Sequence, residues 1–153
     1  MPPRPVLFRF ALTLAHFSAV VLAWMDKYPL IIRSISRAGL LDDEFLREYD
    51  KASYYFNWLV GIQVATFMFE FAGMVSGHAF LQPGFNTVAA VAHFCGALFV
   101  IWCVLEAWSW QAMVALCIIF HAPVGLAECV HILDHIFFKS RMLRRIEILL
   151  PSS

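Results

Sequence analysis

Four long apolar segments, separated by one long polar stretch and two short connections, make up most of the chain. The apolar segments cover residues 6–25, 54–77, 85–107 and 110–137, and as helices each would be at least about 30 Å long. That length is sufficient to cross the hydrocarbon core of a bilayer. The pattern predicts an all-α fold, a four-helix transmembrane bundle, with residues 1–153 forming a single tetraspan membrane domain.

Composition supports the same class. Hydrophobic residues make up 61% of the 153 residues and charged residues only 14%, whereas soluble domains average roughly half and a quarter. The formal net charge is zero, so nothing in the charge balance indicates binding to nucleic acid. The first partner that we expect is therefore the lipid of the membrane.

The first loop holds half of the charged residues and has helical patterns of its own. Residues 29–37 place Ile31 and Ile35 on one face, which predicts a short interfacial helix lying on the headgroups and ended by Gly39. Residues 42–51 begin with three acidic residues, which favour the N-terminus of a second short helix that leads into the second span.

Basic residues suggest the orientation. Four spans place both termini on one side of the membrane, and that side carries six lysines and arginines against five in the first loop. The basic residues of segment 138–153 lie close together, so we expect a cytoplasmic tail in contact with anionic lipid, and both termini in the cytoplasm. Arg9, near the start of the first span, is expected to extend its side chain to the headgroups. Glu106 and Trp108 are predicted to lie at the opposite interface. The basic residues of the tail are Lys139, Arg141, Arg144 and Arg145.

Each predicted span contains one ionisable residue at a similar depth. At about 1.5 Å of rise per residue, all four lie roughly 10 to 15 Å from the side that holds the termini. An ionised group facing lipid costs at least a few kcal/mol, so these groups should face one another in a polar layer inside the bundle. The four residues are His16, Glu70, His93 and Glu128.

Glu70 shares a helical face with two glycines. Gly73 and Gly77 follow it at i+3 and i+7 and form a G-x-x-x-G pattern. Such glycines allow close helix packing in membranes. Because Glu70 is expected to face the interior, we predict that the glycines serve packing within the monomer.

Pro123 interrupts the fourth apolar segment. Proline has no N–H group, so it frees the carbonyl four residues earlier, which belongs to Ile119. We therefore predict a kink near Ile119 within a helix that otherwise runs over residues 110–137.

Three interpretations of the polar layer are open from the residues alone. Glu–His pairs can fix helix register and exclude wrong packings, which is the leading interpretation. A second is a haem or metal site, because Glu128-x-x-His131 has the ligand spacing of di-iron bundles and His131-x-x-x-His135 resembles a desaturase histidine box. The second Glu-x-x-His that a di-iron site needs does not occur. The third is transfer of protons or solutes.

Motifs for catalysis are not apparent. The sequence contains no nucleophile elbow, phosphate-binding loop or dinucleotide-binding fingerprint. We expect no catalytic residues, no resident metal or cofactor, and no small-molecule substrate. The alternative is a haem-binding or metal-binding membrane oxidoreductase subunit that uses the Glu and His layer.

Six short motifs, occurring in order, resemble one known family over roughly residues 8–138. In series they are similar to the transmembrane protein 107 family, although the loop near residues 29–45 and the basic tail are longer here. The motifs are Arg9–His16, Glu48–Lys51, Glu70–Gly77, Ala92–His93, Glu106–Trp108, and Pro123 with Glu128.

The resemblance implies a tetraspan protein of the ciliary transition zone, at the base of the cilium. It implies that the protein acts with other membrane proteins of the Meckel-syndrome module, helping to form the gate that sets ciliary membrane composition. It implies neither enzymatic activity nor a cofactor. The residues that it carries over as packing or partner-binding positions are His16, Glu70, Gly73, Gly77, His93, Glu106 and Glu128.

Overall fold

The computed structural model describes residues 4–35, 42–76 and 83–149, and every regular element in these ranges is a helix. The helices are α1 (Arg4–Met25), α2 (Lys27–Ser34), α3 (Asp42–Val75), α4 (Pro83–Leu105), α5 (Trp110–Leu116) and α6 (Ala122–Leu149), with a π-helical turn at Cys117–His121 between the last two.

Four helical stretches are long and apolar enough to cross a membrane, which confirms the predicted all-α fold with four membrane-spanning helices. The chain is a multi-pass membrane protein. The spans are Pro5–Met25, Asp42–Val75, Pro83–Leu105 and Trp110–Asp134.

Helix α3 is longer than the sequence suggested. It begins at Asp42, so the predicted short helix over residues 42–51 and the second span form one element of 34 residues, about 51 Å long. Neither proline nor glycine interrupts the chain between Asp42 and Val60, and three acidic residues in the first turn favour the N-terminus. The N-terminal part of α3 therefore extends beyond a hydrocarbon core of about 30 Å.

Helix α2 packs against the end of the bundle. Leu30 and Ile31 are completely buried, in one apolar cluster with Phe56 and Met113. The short helix predicted in the first loop is present, but it ends at Ser34, and Ile35 has an extended backbone conformation. Gly39, the predicted end, lies outside the described residues. Helix α2 follows the end of α1 after a single residue, and its apolar face is buried against protein rather than lipid.

The junction between α1 and α2 is held to α3 by hydrogen bonds. The indole of Trp24 and the ammonium group of Lys27 both donate to the side-chain oxygen of Asn57, at 3.1 and 3.0 Å. These bonds connect the first loop to the second span. They lie at the end of the bundle opposite the termini.

Helix α1 packs most extensively on α4. Alanines at the interior positions of both helices keep this interface close, and Gly96 leaves room for the ring of His16. A Cβ added at Gly96 would lie 2.5 Å from an imidazole carbon of His16, well inside van der Waals contact. The buried alanines are Ala19, Ala23, Ala89, Ala90 and Ala97.

Around Ile119, where a kink was predicted, the fourth span has a π-helical turn, and the kink itself stays a prediction. Cys117–His121 precedes Pro123, and the backbone N–H of Ala122 donates to the carbonyl of Cys117, five residues earlier. A π-turn inserts one residue into the helix and changes which side chains face inward. Here His121 is buried just before the proline. Helix α6 then continues to Leu149, beyond the predicted end at Phe137, so most of the predicted tail has a helical backbone.

Helix α4 ends at an unusual alanine. Ala107 has a φ of +47°, and the N–H groups of Trp108 and Ala107 donate to the carbonyls of Cys103 and Val104 at 2.9 and 3.1 Å. This pair of bonds is a Schellman motif, in which glycine normally occupies the left-handed position. The motif reverses the chain within the few residues that separate α4 from α5.

Replacing Ala107 by glycine is expected to stabilise the protein by about 1 kcal/mol, because a Cβ disfavours the left-handed conformation. Ala115→Gly is the matched control, at an exposed position of α5 where glycine should cost about 1 kcal/mol. Reversible unfolding in detergent would measure both. Equal destabilisation by the two substitutions would contradict the assignment of the Ala107 turn.

Candidate functional site

Each span contributes two buried polar residues seven positions apart. Seven residues make about two helical turns, so the members of a pair share a face and are separated by about 10 Å along the helix. Successive spans run in opposite directions. The first members of the pairs in the first and third spans are therefore level with the second members of the pairs in the second and fourth spans, and the pairs form two polar levels inside the bundle. The pairs are Arg9 and His16, Gln63 and Glu70, Asn86 and His93, and His121 and Glu128.

The level nearer the termini is organised by Arg9. Its guanidinium group donates to Glu128 at 2.8 Å and to Asn86 at 3.0 Å, and it lies 3.5 Å from Glu70. The guanidinium carbon also lies 4.9 Å from the ring centre of Phe85, within range of a cation–π interaction. Arg9 thus connects all four spans through side-chain contacts.

The expectation that Arg9 reaches the headgroups is wrong. Its side chain is 0% exposed and lies inside the protein. The physical reason is the presence of two carboxylates at its own level, because an ion pair in the interior satisfies charges that are otherwise very costly there. Phe85 covers part of the same guanidinium group.

The second level, nearer the middle of the bundle, contains three histidines. The Nε2–H group of His93 donates to Glu70 Oε2 at 2.7 Å, and this bond links the two levels. The Nδ1 atoms of His16 and His93 lie 3.2 Å apart. The Nε2–H group of His121 donates to the backbone carbonyl of Gln63 at 3.3 Å. The ring of Phe67 packs against all three imidazoles, with centroid distances of 4.2 to 6.0 Å.

The structure brings together the four residues that were predicted to form a polar layer. His16, Glu70, His93 and Glu128 are all buried and belong to one connected network. They occupy two adjoining levels rather than one. Glu128 contacts Arg9, which lies on α1 about two helical turns from His16. Their functional role as packing or partner-binding positions stays a prediction.

Gly73 provides the space for one of the carboxylates. A Cβ added there would overlap Glu128 Oε1, so α3 and α6 approach each other closely at the first level. The face of α3 that carries Glu70 and Gly73 is buried inside the monomer. Gly77, the second glycine of the pattern, lies outside the described residues.

The remaining predicted positions are far from the network. Glu106 is exposed at the end of α4, and Trp108 is partly exposed and packs on Trp102, with ring centroids 5.4 Å apart. Both lie at the end of the bundle opposite the termini. The side chains of four predicted basic residues lie outside the described part of the chain. These are Lys139, Arg141, Arg144 and Arg145.

Four members of the network were not assigned to it from the sequence. Arg9 was interpreted as an interfacial residue, and Gln63, Asn86 and His121 were not placed in the layer. The signal that identifies them is the spacing of seven, which repeats in all four spans and pairs each with a predicted residue. A polar residue two turns from a buried ionisable group lies on the same buried face.

Within the described residues, Glu128 and His131 do not come together as metal ligands, and the side chain of His135 lies outside those residues. Glu128 accepts its bond from Arg9, whereas His131 packs against the ring of Phe85 with centroids 5.0 Å apart. A different group with metal-ligating potential occurs among the described residues. One ring nitrogen from each of His16, His93 and His121 lies within 4.8 Å of the others.

Gly73→Ala is expected to destabilise the protein by about 1 to 3 kcal/mol, because the added methyl group would displace the carboxylate of Glu128 from Arg9. The matched control is Gly61→Ala on the same helix, where no atom lies within 4 Å of the added Cβ. That change should be neutral or stabilising by up to about 1 kcal/mol.

Unfolding of both variants in detergent would provide the comparison. Equal stability of the Gly73 and Gly61 variants would contradict close packing at Gly73. Unchanged folding of Gly73→Ala with loss of a bound partner would show that this face points outward.

Comparison with known proteins identifies the family. The family model described as TMEM107, a transmembrane protein, matches residues 6–132, which include nearly all of the four spans and every member of the buried network. No curated protein and no solved structure gives a significant match. Because the match covers most of the chain, the protein belongs to the TMEM107 family of transmembrane proteins.

Proposed function

We propose that this protein is a non-enzymatic scaffold and gate component of the ciliary transition zone. In this role it supports cilium assembly and controls which membrane proteins enter the cilium. Its partners are other membrane proteins of the Meckel-syndrome module, and its termini lie in the cytoplasm. Membership of the TMEM107 family supports the proposal, together with the distribution of polar and apolar groups in the spans.

The observation that carries the proposal is that the charged side chains of the buried network are directed into the monomer. Arg9, Glu70 and Glu128 are bonded to one another and to neighbouring helices, and none is exposed at the outer surface. The outer surface instead carries large apolar side chains such as Phe69, Leu98 and Leu126. Such a surface suits contacts with lipid tails and with the helices of other membrane proteins.

The shallow groove between α3 and α6 is the surface that best fits a partner helix. Its lining includes the small residues Ala65 and Ala122 together with the larger Phe69 and Leu126. Small residues let two helix backbones approach closely, which is the main source of helix association in a bilayer. We assign this α3–α6 groove to a transmembrane helix of a partner subunit.

A second contact surface lies at the end of the bundle opposite the termini. A groove formed by α2, α3 and α5 is lined by both charged and aromatic residues, including Glu48, Lys51, Tyr55 and Trp110. Since the start of α3 extends beyond the hydrocarbon core, charged residues here can contact the extramembrane part of a partner. The first loop thereby takes part in the assembly.

Filling the groove tests this function without disturbing the interior. Ala65→Trp places a large ring at an exposed position of the α3–α6 groove, so the variant should fold but lose co-purification of its partners. Leu98→Trp is the control, because Leu98 is 52% exposed on α4, away from that groove. The measurements are localisation of the tagged protein in a ciliated cell and recovery of Meckel-module proteins in detergent.

The expected results are accumulation at the cilium base for the native protein and the Leu98 variant, and weakened accumulation for the Ala65 variant. An even distribution of the native protein through the endoplasmic reticulum or mitochondria would overturn the ciliary role. Unchanged partner recovery with Ala65→Trp would overturn the groove assignment alone.

A further inference from the structure

We propose that His16, His93 and His121 form a binding site for a single zinc ion inside the bundle. The three residues come from three different spans, α1, α4 and the π-helical turn before α6. This assignment goes beyond the scaffold function and does not depend on it.

The first observation in favour of a zinc site is the spacing of the ring nitrogens. The Nδ1 atoms of His16 and His93 are 3.2 Å apart. Two nitrogens bound to one tetrahedral zinc ion, each about 2.0 to 2.1 Å from the metal, lie about 3.3 Å from each other. The third nitrogen completes a triangle whose sides are all within 4.8 Å. A small inward rotation of one imidazole on binding brings the three to ligand distance.

The hydrogen bonds of His93 and His121 leave their Nδ1 atoms available, whereas His16 Nδ1–H donates to His93 Nδ1 without metal, so its proton must move to Nε2 when zinc binds. The Nε2–H group of His93 donates to the carboxylate of Glu70, and that of His121 donates to the carbonyl of Gln63. In each of these two rings the lone pair is therefore on Nδ1. Metal-binding histidines characteristically donate their other N–H group to a carboxylate or a backbone carbonyl, which fixes the ring and its tautomer.

Unsatisfied buried atoms provide an independent sign. His121 Nδ1 and Glu70 Oε1 are both buried and have no hydrogen-bonding partner among the described residues, and they lie 3.9 Å apart. Buried polar atoms without partners are rare because they are costly. A zinc ion on His121 Nδ1, carrying a water that donates to Glu70 Oε1, satisfies both atoms. Three histidines and one water form a common zinc coordination sphere.

Formal charge favours a cation at this point. Arg9 contributes one positive charge and the two carboxylates, Glu70 and Glu128, contribute two negative charges, a sum of −1 with neutral imidazoles. Binding of a divalent ion changes this formal charge from −1 to +1, so the magnitude of the buried charge does not increase. The aromatic ring of Phe67, which packs on all three imidazoles, forms an apolar wall of the site.

Zinc binding by the full-length protein tests the site directly. The protein is purified in detergent through a tag that contains no histidine, treated with a chelator and titrated with zinc. We expect one equivalent to bind. Substituting His16, His93 or His121 by glutamine should weaken zinc affinity by at least about 100-fold. His131→Gln is the matched control, since it removes a histidine of α6 outside the site and should leave the affinity unchanged.

X-ray absorption of the zinc-loaded native protein gives a second measurement that does not depend on whether the variants fold. The expected result is a zinc ion with three imidazole nitrogens and one oxygen. Failure of the native protein to retain zinc, or equal binding by all four variants, would overturn the site. A spectrum with fewer than three imidazole ligands would also overturn it.

Discussion

The bridge that Arg9 forms between Glu70 and Glu128 is the interaction on which the rest of this structure depends. In the interior of a membrane protein none of these charges can be solvated by water, so each requires the others. The positions of the three residues fix α1, α3 and α6 relative to one another. Asn86 adds α4 through its bond to the same guanidinium group.

This requirement determines the close packing around the bridge. Gly73 has no side chain where the carboxylate of Glu128 lies, and Gly96 has none where the ring of His16 lies. Glu70 also accepts from His93 and so connects the charged level to the histidines. With the polar groups directed inward, the outer surface of the spans is apolar, and contact with lipid and partner helices is the function that such a surface supports.

The sequence was sufficient to predict the four spans, because long apolar segments permit few other structures in a membrane. It also identified Glu70 and Glu128 as inward-facing, since the cost of a lipid-facing carboxylate does not depend on tertiary detail. It did not reveal the role of Arg9. A long basic side chain five residues from the start of α1 can reach the headgroups or turn inward, and only the positions of the carboxylates on other helices decide between the two.

That the predicted helix over residues 42–51 is continuous with the second span could have been recognised from the absence of proline and glycine between Asp42 and Val60. The burial of His121 could likewise have been recognised from its spacing of seven before Glu128, whereas the π-turn before Pro123 could not, because a proline does not specify which irregular turn precedes it. The repeated spacing of seven is present in the sequence, but its meaning depends on the antiparallel arrangement. The antiparallel packing of the first and fourth spans brings Arg9 level with Glu128 and His16 level with His121. The parallel run of α1 and α4 brings Arg9 level with Asn86 and His16 level with His93.

The most direct test of this account is the coupling free energy between Arg9 and Glu128, measured by a double-mutant cycle in detergent. The cycle compares Arg9→Met, Glu128→Gln and the double variant, with Arg47→Met, an exposed arginine, replacing Arg9 in a control cycle. A buried ion pair predicts that the double variant is more stable than the sum of the single effects by about 2 kcal/mol or more, with no coupling in the control cycle. Additivity within about 0.5 kcal/mol for Arg9 and Glu128 would contradict a structure organised by this bridge.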